Sequence, residues 1–77
     1  MNDLQIEYFL AAARNMSFSR AAQELFVSQP AISRQILALE QELGCPLFER
    51  LNRGIMLTAN GEMFYDFFER YRGELFD

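Results

Sequence analysis

Apolar residues recur at helical spacing in four stretches of this chain, and the period changes in a shorter stretch between the third and the fourth. The best-marked helix covers residues 28–43. Ile32, Ile36, Leu39 and Leu43 make one buried stripe on it. Ser28 suits its N-cap, because a hydroxyl there accepts a backbone N–H that the first turn leaves unpaired. Pro30 sits in that first turn, where a missing N–H costs nothing. Gly44 follows the last apolar residue and suits a left-handed C-cap. Upstream, Asn2 or Asp3 starts a first helix that reaches about Asn15. Ile6, Phe9, Leu10 and Ala13 form its apolar face, with Leu4 and Tyr8 nearer the flank. Asn15-Met16-Ser17 breaks the period, and Ser17 caps a short second helix that buries Phe18, Ala21, Ala22 and Leu25. Phe26-Val27 then bridges to Ser28. A short helix, a tight connection and a longer helix make the helix-turn-helix plan, here without the Gly that such turns often contain.

After Gly44 the period changes, and Cys45-Pro46 stops the helix. Leu47-Phe48-Glu49-Arg50 and Ile55-Met56-Leu57 are short strand candidates, and Leu51-Asn52-Arg53-Gly54 between them is turn-like. A small hairpin over 47–57 behind a helix-turn-helix is a wing. Thr58 caps a last helix, on which Phe64, Phe67, Phe68, Tyr71 and Leu75 follow a helical stripe. Five large apolar residues exceed what so small a core absorbs. Part of the stripe is expected on the first helix near Ile6 and Leu10, and the rest on the same helix of a second copy. The fold class expected is mainly α: a winged helix-turn-helix of three helices and a hairpin over 1–58, followed by a linker and dimerisation helix over 59–77.

Composition narrows the chemistry. The chain has 77 residues, half of them hydrophobic, which suits one small domain that gains from dimerisation. No apolar run is long enough to span a bilayer, and no basic region precedes an apolar stretch, so neither a membrane association nor a signal peptide is expected; a cytoplasmic location is the expectation. There is one cysteine and no histidine. Cys45 therefore has no partner for an internal disulfide, a zinc site or a Cys–His nucleophile pair, and is read as a small packed residue. No cofactor is expected in this stretch. An enzyme is the weakest reading, because acid–base work would fall to carboxylates that lie on helix surfaces without a convergent pair.

The net charge is −4, which by itself argues against nucleic acid. Its distribution argues otherwise. Residues 59–77 hold five carboxylates against two arginines, whereas residues 1–58 hold six against five. Every basic side chain is Arg, which favours bidentate contact with phosphate or guanine. The exposed face of the 28–43 helix carries Gln29, Ser33 and Arg34 in its first two turns, with no carboxylate before Glu40. Gln pairs bidentately with adenine, Arg with guanine, and Ser with a base or phosphate, so this face suits a major groove. Ser28, at the cap, joins that group. Ser19 and Arg20 lie at the start of the second helix, where backbone N–H groups and a guanidinium meet phosphate. Arg50 and Arg53 flank and occupy the wing tip, within reach of phosphate or a narrow minor groove.

Taken together, Ser17-Phe18-Ser19-Arg20-Ala21-Ala22, Val27-Ser28-Gln29-Pro30-Ala31-Ile32-Ser33, Leu39-Glu40 with Leu43-Gly44, Pro46-Leu47-Phe48-Glu49-Arg50 and Leu57-Thr58 resemble the N-terminal domain of LysR-type bacterial transcriptional regulators. The resemblance covers nearly the whole chain. It implies a winged helix-turn-helix that binds double-stranded promoter DNA as a homodimer. It implies base contacts from Gln29, Pro30, Ser33 and Arg34 and wing contacts from Arg50 and Arg53. It further implies that the last helix pairs between subunits and leads to a larger effector-binding domain, with its small-molecule coinducer. That domain is not in this sequence, which is expected to be a fragment. Leu37 stands where such proteins often place Arg or Lys, Met56 where the wing is often charged, and Ala59 where Pro is frequent. The competing reading is a winged-helix protein-interaction module whose aromatic last helix recruits a partner without DNA binding, which the acidic total and Leu37 favour.

Overall fold

The computed structural model describes the backbone of residues 1–76 and the side chains of residues 1–72. Four helices and one hairpin follow each other as α1 (Asp3–Asn15), α2 (Phe18–Leu25), α3 (Gln29–Leu43), β1 (Phe48–Arg50), β2 (Ile55–Leu57) and α4 (Ala59–Phe76). The expected mainly α winged helix-turn-helix with a fourth helix is what the chain forms, with boundaries within a residue or two of those read from the caps.

Each helix begins where a side chain satisfies its first amides. Asn2 and Gln5 form a reciprocal capping box at α1, with Gln5 N donating to Asn2 Oδ1 at 2.8 Å. Ser17 Oγ accepts from Arg20 N at α2, and Ser28 Oγ accepts from Ala31 N at α3. Thr58 does two jobs at α4: its hydroxyl donates to the Pro46 carbonyl at 2.7 Å and accepts from Gly61 N at 3.0 Å. At the other ends, Met16, Phe26 and Gly44 take left-handed backbone conformations, with φ of 49°, 58° and 77°. The turn between α2 and α3 therefore has the left-handed residue that its missing Gly would have supplied. Phe26 adopts it instead, and its side chain is 95% exposed.

The core lies where α1, α2 and α3 meet and is closed by β1 and α4. Phe9, Leu10, Ile32, Ile36, Leu39, Leu47 and Phe68 are its fully buried large side chains. Phe9 is the hub: its ring sits 5.4 Å from Phe48 and 5.7 Å from Phe68, centroid to centroid. Tyr8, expected on a flank, is buried, as are Ala11 and Ala12. The reason is that α1 is covered by α2 and α3 on one side and α4 on another, so it buries more than a single stripe. Leu43 is only half-buried at the end of the α3 stripe.

Phe68, expected in the dimerisation stripe, is instead fully buried in this chain's own core, edge-on to Phe9. Phe64 is half-buried and stacks on Phe68, while Phe67 and Tyr71 remain exposed. Leu75 lies outside the described side chains.

The wing is a two-stranded antiparallel hairpin with Phe48 opposite Leu57 and Arg50 opposite Ile55. Two contacts fix it to the helical body. The Glu40 carboxylate accepts from Leu47 N at 2.7 Å and Phe48 N at 3.3 Å, which ties the hairpin to the last turns of α3. Ile55 N donates to the Met16 carbonyl at 3.4 Å, which ties its return strand to the α1–α2 corner.

Candidate nucleic-acid interface

The site is built on the first two turns of α3. Its back, through Ile32 and Ile36, is locked in the core, so the opposite face is held rigidly outward. On that face Gln29, Pro30 and Arg34 are exposed and Ser33 is half-buried. Gln29 Nε2 donates to Ser33 Oγ at 2.8 Å, which joins the two side chains one turn apart. Ser28 is exposed, but its hydroxyl is already engaged as the helix cap. Leu37, one turn beyond Ser33, is 55% exposed and extends the face as an apolar surface.

The arginines divide by what they already hold. Arg14 donates to Glu24 at 2.6 Å, and Asn15 adds a second bond to the same carboxylate. The Arg14 hydrogen bond first, and the Asn15 bond next, hold the Glu24 carboxyl below the usual carboxylate range. Arg14 is thus committed to tying α1 to α2. Arg20, Arg34, Arg50 and Arg53 are exposed and make no ion pair among the described residues. Four uncommitted guanidiniums on the helix-turn-helix and wing give an anionic ligand something to meet, despite the net charge of −4.

The wing places Arg50 with the second helix. Its guanidinium carbon lies 5.0 Å from the centroid of the Phe18 ring, a cation–π contact worth about 0.5–1 kcal/mol at an exposed site. Phe18 opens α2 and is followed by Ser19 and Arg20, both exposed, so Arg50, Ser19 and Arg20 belong to one region of the surface. This contact uses none of the guanidinium's N–H groups in an ion pair among the described residues, which leaves them available to an oxygen ligand. Arg53 stands at the exposed tip.

Two residues that organise this site were not singled out for it from sequence. Phe18, read as a core residue, also serves as the platform for Arg50. Glu40 fixes the wing to α3 by its carboxylate. The Leu39-Glu40 pair was visible as a motif, but nothing local in the sequence tells that its carboxylate reaches amides seven and eight residues on. Among the described residues no three His, Cys, Asp or Glu side chains gather to hold a metal ion, and no helix is long and apolar enough to cross a membrane. Cys45 is half-buried beside the core.

The fold has close counterparts. The domain solved on DNA as the CbnR DNA-binding-domain complex superposes with a TM-score of 0.94 at 44% identity, covering 97% of this chain and 86% of that one. The BenM DNA-binding domain on a catB site gives 0.93 at 37% identity, covering 97% and 84%. In sequence, the transcriptional regulator BudR of Klebsiella aerogenes is 54% identical over 61 residues, which are 79% of this chain and 43% of that protein. The glycine cleavage system transcriptional activator of Escherichia coli K12 is 51% identical over 65 residues, 84% of this chain and 21% of the activator. The chain thus spans less than half the length of these relatives. The family model for bacterial regulatory helix-turn-helix proteins of the lysR family matches residues 4–62, through all three helices of the core, the wing and the start of α4. The chain belongs to the LysR family of bacterial regulatory helix-turn-helix proteins.

Proposed function

We propose that this chain binds double-stranded DNA with sequence preference, as the DNA-binding part of a cytoplasmic bacterial transcriptional regulator. The observation that carries the reading is the α3 face: Gln29, Ser33 and Arg34 presented from a capped, rigidly backed helix N-terminus, with Arg34 paired to no carboxylate among the described residues. In this reading α3 enters the major groove and the three side chains meet base edges, with Pro30 packing beside them. Ser19, Arg20 and the exposed hydroxyl edge of Ser28 meet phosphates at the helix N-termini. Arg50 and Arg53 reach the backbone or the minor groove from the wing. The likeness to domains solved on DNA supports this placement of the elements.

The same reading makes residues 1–58 the DNA-binding unit and residues 59–77 a linker helix that pairs two copies. Phe67, Tyr71 and Met63 on α4 are exposed and apolar, and they supply the surface for it. The homodimer sets two recognition helices on one pseudo-palindromic site. A small-molecule coinducer belongs to an effector-binding domain of the whole regulator, and no step assigned to this chain is enzymatic.

The 95% exposed Phe26 favours a second reading, a protein-interaction module without DNA affinity. Titration of a fluorescent random-sequence duplex at low salt separates the two. The DNA reading predicts saturable binding that weakens as salt rises. Absence of binding at about 100 μM protein, the weak end of non-specific DNA affinity, would leave the protein-interaction reading standing.

A further inference from the structure

Gln29 and Ser33 are joined before any ligand arrives. Gln29 Nε2 donates to Ser33 Oγ at 2.8 Å across one turn of α3. That bond decides what Gln29 has left to offer. A free glutamine amide carries two N–H donors and one carbonyl acceptor. The N–H trans to the amide oxygen can serve Ser33, which leaves the cis N–H and the carbonyl oxygen side by side on one amide edge. One donor beside one acceptor matches adenine in the major groove, whose N7 accepts and whose N6 amino group donates. Guanine offers two acceptors, N7 and O6, and would set O6 against the amide oxygen. Ser33 in turn spends a lone pair on Gln29, which keeps the amide from swinging back to solvent.

We propose that Ser33 is a positioning residue for Gln29: it holds the amide in the orientation that selects adenine over guanine. The inference rests on the DNA-binding reading of α3 and adds to it a division of labour, in which Ser33 governs base choice through its neighbour. The exposed position of Gln29 makes this help necessary, because nothing else among the described residues bonds to its side chain.

The test is a selection from random duplexes with the 77-residue chain, followed by affinity measurements on the selected site. Gln29→Ala identifies the base pair that Gln29 reads, as the one position where preference disappears. Wild type should favour adenine over guanine there by about tenfold to a hundredfold. Ser33→Ala should reduce that ratio by about three- to tenfold. Ala is a better helix former than Ser, so the variant folds. Ser33→Thr retains the hydroxyl and should retain the ratio. In the Gln29→Ala background, Ser33→Ala should have no effect at that position. An unchanged ratio in Ser33→Ala overturns the proposal. So does a base other than adenine at the Gln29 position, or a Ser33→Ala effect confined to a different base pair. Absence of any preference among duplexes removes the DNA reading itself, an outcome distinct from preference that ignores Ser33.

Discussion

Arg34 and Arg14 show how much a side chain's neighbours decide. Both are exposed arginines on helices, yet Arg14 is bound to Glu24 at 2.6 Å and Arg34 has no carboxylate among the described residues. Only the second is available to a ligand. Replacing Arg34 with Ala should cost about 1–3 kcal/mol on the preferred duplex and relax preference at one base pair. Fluorescence anisotropy on matched and mismatched duplexes reads that cost. The Arg14–Glu24 pair makes a separate prediction. The folded chain holds the Glu24 carboxyl below its ordinary value, so the unfolded chain binds a proton more readily. Its stabilising effect is therefore present above the ordinary carboxylate range and is lost as pH falls from that range through the lowered value of the folded chain. Thermal unfolding of Glu24→Gln should begin below wild type at neutral pH, and the gap should close as pH is lowered below the ordinary carboxylate range. A gap that widens in acid would reverse the sign and contradict this linkage. The Gln29, Ser33, Arg34 face was legible in the sequence because helical spacing is a local property. The stacking of Arg50 on Phe18 was not, because it joins residues 32 apart through packing that no local pattern encodes.

At the level of elements, caps made the helices easy to place. Asn2, Ser17, Ser28 and Thr58 are side chains whose oxygens accept the first amides of four helices, and each is readable in isolation. What could not be read was how far each helix is covered. Tyr8 looks like a flank residue on a helical wheel and becomes buried because α1 is covered from two sides. The same limit explains Phe68: periodicity put it in an apolar stripe but could not divide that stripe between the core and the surface. The start of α4 carries a further constraint. Gly61 packs so closely on the wing that a Cβ there would overlap the Leu47 carbonyl oxygen, a backbone atom that cannot turn aside. Gly61→Ala should therefore lower stability by about 1–3 kcal/mol, although Ala is the better helix former by about 1 kcal/mol. For a domain of this size the melting temperature should fall by about 4–8 °C per kcal/mol. A rise in melting temperature would mean that α4 shifts off the wing without cost. For the wing itself, replacing Arg50 and Arg53 together with Ala should weaken binding to all duplexes and flatten the salt dependence by about one to two phosphate contacts. An unchanged salt slope would take the wing off the DNA.

The whole molecule presents two surfaces of opposite character. One carries uncommitted arginines and the α3 face. The other joins the start of α1 to α4, where Met1, Asn2, Asp3, Ile6, Phe67, Phe68 and Tyr71 line a cleft of about 100 Å³, and α4 also exposes Met63. Burying an aromatic side chain is worth about 1.5–3 kcal/mol, so this apolar surface can sustain a dimer against the acidic charge of α4. Phe67→Glu, which spares the buried Phe68, should give monomers in sedimentation at concentrations where wild type associates. Equal sedimentation of the two would exclude this surface. A dimer places two α3 helices about 34 Å apart, or a multiple of it, on one face of the duplex. The net charge of −4 points away from DNA, whereas Arg20, Arg34, Arg50 and Arg53 are exposed on the helix-turn-helix and wing without an ion pair among the described residues. The central claim is that α3 reads bases, and it is tested most directly by the ratio of affinities for a selected duplex and its scrambled counterpart, measured at one salt concentration for wild type and Arg34→Ala. The account predicts a clear preference in wild type that Arg34→Ala reduces by about fivefold to a hundredfold, with affinity for the scrambled duplex nearly unchanged. Equal losses on both duplexes would show that Arg34 serves only as a positive charge and that α3 does not read sequence.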